Sequence, residues 1–507
     1  MANPLFDRLF GVHAGQTTPF LHLPTGETIS HDMFLRMAGR YANALVRLGH
    51  VAGDRVALQS DKSPEALAVY AACVQAGLIF LPLNPAYTAD ELEYFLRDSG
   101  AKLFICRDAD DDRICEIAAS FGTVLKTLGS DGTGTFADLA RDQPDTFSPV
   151  RRDGDDLVAL LYTSGTTGRS KGAMLTQNNL LSNALVLAES WQFSRDDVLL
   201  HALPIFHTHG LFVATNITLV AGGAMIFLPR FDTETVIANL PKASTLMGVP
   251  TFYTRLLDDP GFSRDLTRHM RLFVSGSAPL LAETHTRFEQ RTGHRILERY
   301  GMTETNMNTS NPYSGERRAG TVGFVLPGVE LKITDATTRA TLAHGKIGEI
   351  EVRGANVFKG YWNMPEKTAE ALRDDGYFLT GDLGLIDSDG YVQIVGRSKD
   401  LIISGGYNIY PKEIELLLDK QPGILESAVI GVPDPDFGER VVAMLVAQAG
   451  ATPDLTQIEK AITGSLARFK QPRAFLLVPD LPRNTMGKVQ KNVLREKYET
   501  LSVVAQD

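Results

Sequence analysis

The chain has 507 residues, too many for one hydrophobic core, so two or three domains are expected. Hydrophobic residues make up 44% and charged residues 22%, the balance of a folded globular protein, which excludes disorder of the whole chain. A net charge of −10 excludes nucleic acid as a general partner but leaves room for small anions held by local cations. From the N-terminus onward, MANPLFDRLF lacks a basic region followed by an apolar run, and no later apolar stretch is long enough to span a bilayer. Cys73, Cys106 and Cys115 are odd in number and lack metal-ligand spacing, as suits a reducing compartment. A cytoplasmic protein without a membrane segment is expected.

Ser30 reads as the N-cap of a helix within 28–49, because Phe34, Ala38, Tyr41, Ala42, Leu45 and Leu48 recur at helical spacing before Gly49. Strands are expected at 54–58, 78–83 and 102–106, with helices at 64–76 and 89–98 between them. Strands alternating with helices predict a parallel sheet covered by helices, an α/β architecture. Residues 128–156 are polar and rich in Gly, Asp and Pro, and read as a surface connection.

The next stretch organises the rest. Leu157 to Leu161 form an apolar run that leads into Thr163-Ser164-Gly165-Thr166-Thr167-Gly168-Arg169-Ser170-Lys171-Gly172. Glycines let a backbone approach phosphate and turn its amides inward, hydroxyls donate, and Lys171 adds a point charge. The P-loop of nucleotide hydrolases requires glycine directly before its lysine; Ser170 stands there instead, so that motif fails.

YTSGTTGRSKGAM resembles the phosphate loop of the adenylate-forming superfamily, which includes acyl-CoA synthetases, luciferase and the adenylation domains of peptide synthetases. Further family motifs follow in order. After a helix at 178–193 comes His201-Ala-Leu-Pro-Ile-Phe-His207-Thr208-His209-Gly210. The resemblance implies that this segment lines the acid pocket, with His207 gating it and Thr208 facing the substituent. The H-x-H pair has no third ligand nearby in the sequence and is not read as a metal site. Val-Ser-Gly276-Ser277 resembles the adenine-side loop. Glu298-Arg299-Tyr300-Gly301-Met302-Thr303-Glu304 resembles the best-known internal motif, in which Tyr300 packs on adenine, Thr303 reaches phosphate and Glu304 holds Mg²⁺, with Glu298 among the nucleotide contacts. A carboxylate there suits a hard cation. Asp382 matches the aspartate that takes both ribose hydroxyls, and Arg397 assists at ribose and phosphate.

Lys399 matches the family's hinge, which sets the expected domains at 1–396 and 397–507. The fold implied is the large multi-subdomain α/β domain of the synthetase and luciferase type, followed by a small mobile α/β domain. Within the latter, Gly405 and Gly406 would pass over the pantetheine of CoA, Pro411 starts a helix, and strands are expected at 427–432 and 441–447 with a helix at 455–466. Leu-Pro-Arg-Asn-Thr-Met-Gly487-Lys488 resembles the final motif, whose lysine is catalytic.

ATP, Mg²⁺ and CoA are therefore the expected cosubstrates and ion. Lys488 would bridge carboxylate and α-phosphate, then move away as the small domain rotates. Related synthetases are switched off by acetylation at this lysine, so a lysine acetyltransferase and deacetylase are possible partners. Most members carry glycine where this chain has Arg299, and E-R-Y-G-M-T-E resembles the malonyl-CoA synthetase branch. The implied substrates are malonate and methylmalonate, with Arg299 on the second carboxylate, Arg255 a second candidate for it, and Met307 and Thr208 bounding room for one methyl. The alternatives are Arg299 as a structural ion pair, a short- or medium-chain acyl-CoA synthetase, an amino-acid adenylation domain and an inactive nucleotide sensor.

Overall fold

In the computed structural model, which describes residues 2–107, 112–163, 170–404, 407–484 and 487–498, the N-terminal region alternates helix and strand as its apolar pattern requires. Ser30 accepts a hydrogen bond from the Met33 amide at 3.1 Å and starts the helix His31–Arg47, which buries Phe34, Ala38, Tyr41 and Leu45. The helix Pro64–Ala76 is alanine-rich and buried on every side from Ala66 onward, so it belongs to the core. Strands Val124–Thr127, Leu103–Cys106, Arg55–Gln59, Ile79–Pro82, Leu157–Thr163 and Lys171–Thr176 make a six-stranded sheet in that spatial order. All its pairs are parallel but the last. Ile79–Pro82 and Leu103–Cys106 are buried at every position, which is why they read as unbroken apolar runs.

A nine-stranded sheet runs from Phe324–Val325 through Asn306–Ser310, Leu297–Met302, Leu272–Ser275, Thr245–Gly248, Val198–His201, Ala224–Phe227 and Pro19–His22 to Thr28–Ser30. Its centre is parallel. Ligands of such sheets bind beyond the carboxyl ends of the strands. There the chain places the loops after Val198–His201 and Leu272–Ser275, both of which carry motif residues.

The 128–156 connection is less irregular than its composition suggests. It contains the helix Thr135–Arg141, whose buried side is only Phe136, Ala137 and Ala140. Phe136 lies 5.3 Å from the Tyr41 ring, ring centre to ring centre.

The chain divides into two compact units. The first is Met1–Gly276, Leu280–Glu330 and Val352–Phe378; the second is Ser277–Pro279, Leu331–Glu351 and Leu379–Asp507. The expected boundary between Gly396 and Arg397 falls inside the second unit. The antiparallel strands Phe378–Ile386 and Val392–Arg397 set Arg397 opposite Asp382, which binds the residues on either side of that point into one body. Further along, Tyr407–Ile409, Ile402–Ser404, Gly438–Ala447 and Ile424–Asp434 form a sheet in that order, joined by Ala474–Leu477 on Gly438–Ala447. Ile402, Ile414, Val429 and Val441 centre its core, with the helices Pro411–Leu418 and Leu455–Ser465 packed on it. Among the described residues no helix is long and apolar enough to cross a membrane.

Candidate active site

Strand Leu157–Thr163 returns as Lys171–Thr176, with Thr163 opposite Lys171. Ser164, Gly165, Thr166, Thr167 and Gly168 between them lie outside the described residues, as do Gly405 and Gly406. A strap, residues 358–362, adds to the Lys171–Thr176 strand. The Trp362 amide donates to the Gly172 carbonyl at 2.7 Å, and the Met174 amide to the Gly360 carbonyl at 2.9 Å. This ladder sets Tyr361 opposite Ala173 and under Lys171, whose Nζ lies 4.2 Å from the ring centre.

The strap also reaches the internal motif. Leu297–Met302 and Asn306–Ser310 form an antiparallel hairpin with Thr303 and Glu304 at its tip. The Tyr361 hydroxyl donates to Glu304 Oε1 at 2.9 Å, and the Phe358 amide to the Glu304 carbonyl at 2.8 Å. Glu304 is buried, while Tyr300 and Thr303 are half-buried. Gly301 is dictated by packing, since a Cβ there would sit 1.8 Å from the Asn306 carbonyl oxygen.

Successive residues of a strand face opposite ways, and the hairpin uses this to separate two roles. Glu298 meets His285, with 3.5 Å between its Oε1 and the imidazole Nδ1. Arg299 turns to the other face, paired in register with Ser310. The residue is 5% exposed, and among the described residues its Nε and Nη2 have no hydrogen-bond partner. Burial pulls its pKa down to about 9, opposed only by Tyr253, and no carboxylate contributes. It remains a cation at neutral pH. The reading of Arg299 as a structural ion pair is therefore not what the structure displays. The guanidinium lies directly on the backbone of Gly276, where an added Cβ would be 2.2 Å from Arg299 Cζ.

The segment after Val198–His201 supplies the neighbouring wall. Residues His209–Thr215 wind with i→i+5 turns, a rare geometry that recurs at functional sites. His207 is half-buried, and burial pushes its pKa down to about 4. His209 is held well below its ordinary value by burial and then by repulsion from Arg299. Both imidazoles are thus neutral, beside the cationic Arg299. Thr208 is buried and its hydroxyl has no partner among the described residues. Met307 is 2% exposed on the hairpin strand. Arg255 is elsewhere: in the helix Pro250–Asp258 it is exposed, two positions from buried Tyr253 and so roughly 200° around the axis. As a second carboxylate ligand it is corrected to a surface residue.

In the second unit, Ser277 has φ +72°, a left-handed backbone in which a non-glycine residue is strained. Arg397 Nε lies 2.8 Å from Asp382 Oδ1, and its Nη1 donates to the Thr380 carbonyl at 3.2 Å. Asp382 is buried in consequence. Lys399 lies in the turn Ser398–Asp400, its pKa lowered by burial. Lys488 sits on a loop closed by the pairing of Arg483 with Val489, its amide donating to Asn484 Oδ1 at 2.9 Å. Its pKa is pushed down to about 8, first by burial and next by repulsion from Arg397. Attraction to Asp382 and Asp400 opposes that shift. The second unit therefore gathers Lys488, Arg397, Lys399 and Asp382 within mutual electrostatic reach.

A family model described as AMP-binding enzyme matches residues 12–362, and one described as AMP-binding enzyme C-terminal domain matches residues 413–488. The chain belongs to the AMP-binding enzyme family. Among relatives of this AMP-binding enzyme is the malonate–CoA ligase of Arabidopsis thaliana, 36% identical and covering 89% of this chain and 79% of the relative. A feruloyl-CoA synthase of an Amycolatopsis species is 35% identical over 93% of this chain and 94% of the relative. The crystal structure of ATP-bound MatB from Rhodopseudomonas palustris superposes with a TM-score of 0.97 at 56% identity, covering 99% of both chains.

The geometry brings forward two residues of the first unit whose contacts the AMP-binding enzyme motifs do not reveal. Gly276 stands inside a quoted motif, but only the fold reveals that Arg299 rests on it. Tyr361 gives a weaker signal, an aromatic pair behind a glycine in Gly360-Tyr361-Trp362 that composition alone would read as core.

Proposed function

We infer that the protein is an AMP-forming acid–thiol ligase that joins malonate to coenzyme A using ATP. The observation that carries the choice of acid is Arg299, a buried cation without an acidic partner among the described residues. Taking a charge out of water costs several kcal/mol, and a site that leaves it uncompensated needs an anion from outside. The planar fork of a guanidinium takes a carboxylate by two parallel hydrogen bonds. Malonate has one carboxylate to offer Arg299 and one to be activated, and the relationship to a malonate–CoA ligase supports the same reading.

In the first half-reaction an oxygen of the reacting carboxylate attacks the α-phosphorus of ATP, and pyrophosphate departs with the bond electrons. Anion meets anion, so catalysis consists largely of fixed opposing charge, each well-placed donor contributing about 2.7–4 kcal/mol in comparable sites. We assign that role to Lys488 between carboxylate and α-phosphate, and to Lys171 on the departing pyrophosphate. Thr303 lies beside Glu304 for a phosphate oxygen, and Asp382 with Arg397 is suited to ribose. The neutral imidazole of His207 borders the acid without adding charge. Glu304, a buried carboxylate at the hairpin tip, would hold a Mg²⁺ ion, whose preference is for hard oxygen ligands. When bound, the ion would neutralise charge on the phosphates. In the second half-reaction the thiolate of CoA attacks the acyl carbon, and AMP leaves. We propose that this follows rotation about Lys399 that withdraws Lys488. Methylmalonate is the expected second substrate, with Thr208 and Met307 limiting the substituent to one methyl. Acetylation of Lys488 would remove its charge and silence the first step. Cys73 and Cys106 are buried and form no disulfide among the described residues.

The deciding experiment incubates the protein with ATP, CoA and a panel of acids and measures AMP release. Malonate is expected to exceed acetate and octanoate by about 10⁴-fold in kcat/KM, the scale on which a site built for a polar group rejects its analogue. Comparable rates on acetate would refute the choice of acid. A second expectation concerns Gly276→Ala. The new methyl overlaps the guanidinium, so the malonate KM should rise about 5- to 150-fold, as overpacking strain of 1–3 kcal/mol implies, and by more than the ATP KM, which the adenine-side segment around Gly276 also serves. An unchanged malonate KM would show that Arg299 is not seated by Gly276 when substrate binds.

A further inference from the structure

The strap at 358–362 belongs to none of the motifs, yet it touches both charged groups to which the pyrophosphate side of the reaction is assigned. We propose that Tyr361 is a positioning residue for adenylate formation, aiming the Glu304 carboxylate with its hydroxyl and seating the Lys171 ammonium on its ring. The assignment rests on the proposed function only in that the reaction proceeds through ATP.

The geometry is over-determined from the backbone outward. Hydrogen bonds at 2.7 and 2.9 Å lock the strap to the phosphate-loop strand on either side of Tyr361. The Tyr361 amide donates to Thr368 Oγ1 at 2.9 Å, and its ring meets Phe358 edge-on at 4.8 Å. A ring so held offers its hydroxyl to Glu304 Oε1 at 2.9 Å and its face to Lys171 Nζ at 4.2 Å.

The chemistry explains why tyrosine suits both. Glu304 stands at a hairpin tip, where a carboxylate with three free torsions would sample many directions. A phenol donor fixes it and leaves its charge intact for a divalent cation, whereas a lysine or arginine partner would neutralise that charge. Lys171 needs the converse, a neighbour that attracts the ammonium without occupying it. The face of an aromatic ring does this, leaving the N–H groups directed at phosphate. One side chain thereby places a cation and a carboxylate on the same triphosphate while bonding to each separately.

The test uses the full-length protein with a non-cleavable ATP analogue, and reads bound Mn²⁺ by the loss of its free electron-paramagnetic signal. Tyr361→Phe keeps the ring and removes the hydroxyl. It is expected to weaken Mn²⁺ binding by about 10–100-fold, the usual effect of losing the group behind a metal-binding carboxylate. The Mg²⁺ requirement of ATP–pyrophosphate exchange should rise in step while the malonate KM holds. Tyr361→Leu, which also removes the ring, should in addition raise the KM for pyrophosphate in exchange. Because Tyr361 acts through Glu304, the Tyr361→Phe, Glu304→Gln double variant should bind Mn²⁺ no more weakly than Glu304→Gln alone. Wild-type Mn²⁺ affinity in either single variant would overturn the proposal, as would losses that add in the double one. The titration contains no acid, so a wrong choice of malonate leaves its outcome unaffected.

Discussion

Replacing Arg299 with glycine is expected to lower kcat/KM for malonate by about 30- to 5,000-fold. That is the 2–5 kcal/mol lost when one partner of a buried, hydrogen-bonded charge pair is removed. The ATP KM should stay near its original value, because Arg299 and Tyr300 face opposite ways on the strand and only the latter is assigned to the nucleotide. Arg299→Lys should recover little, since an ammonium is a point charge and cannot match two carboxylate oxygens at once. The ligand-free protein adds a thermodynamic test. The guanidinium is buried without a carboxylate, so its charge opposes folding until substrate arrives. Arg299→Met, of similar length but uncharged, should therefore raise the stability of the ligand-free protein by about 1–4 kcal/mol while abolishing malonate activity. Malonate should raise the Tm of the parent and leave that of Arg299→Met unmoved. A destabilised Arg299→Met would show that the arginine is satisfied within the fold, and the argument for a diacid would lose its footing.

What the sequence made legible follows from which forces are local. Helix caps such as Ser30, apolar runs such as Leu103–Cys106 and ordered glycine-rich motifs are written in adjacent residues, so the α/β class and the chain positions of Lys171, Glu304, Asp382 and Lys488 could be read directly. The helix Thr135–Arg141 escaped because it buries three residues in a polar setting, too few to raise a periodic signal. Arg255 was misplaced for a related reason. Its spacing from the motif says nothing about which way a helix turns it, and burial of Phe252, Tyr253 and Leu256 rotates it outward. Gly276 under Arg299 and Tyr361 on Glu304 are contacts between residues 23 and 57 positions apart, and no local pattern encodes them. Arg299 itself shows the converse. Its identity announced a departure from the family, but its lack of an acidic partner, the fact that turns the departure into a preference, required the fold.

Lys488→Ala is the second large effect expected, and it should divide the reaction in two. ATP–pyrophosphate exchange, which reports adenylate formation, should fall by about 10²–10³-fold, the effect of deleting one preorganised donor from a charge-forming transition state. Conversion of supplied malonyl-adenylate to malonyl-CoA should persist, because AMP departs in that step without the bridge between carboxylate and phosphate. The pH dependence carries the same signature with a definite sign. Burial and the neighbouring Arg397 bring the Lys488 pKa down to about 8, so the ammonium of the free enzyme is lost as pH rises through that value. The kcat/KM for ATP reports the free enzyme and should fall above about pH 8. The kcat, measured with the triphosphate bound, should break at higher pH, because added negative charge favours the protonated form. Thioester formation from the adenylate should lack this limb altogether. Arg397→Gln removes the repulsion, so the break in kcat/KM should move upward. Equal loss of both half-reactions in Lys488→Ala, or a shared alkaline limb, would mean that Lys488 serves the fold of its loop rather than one chemical step.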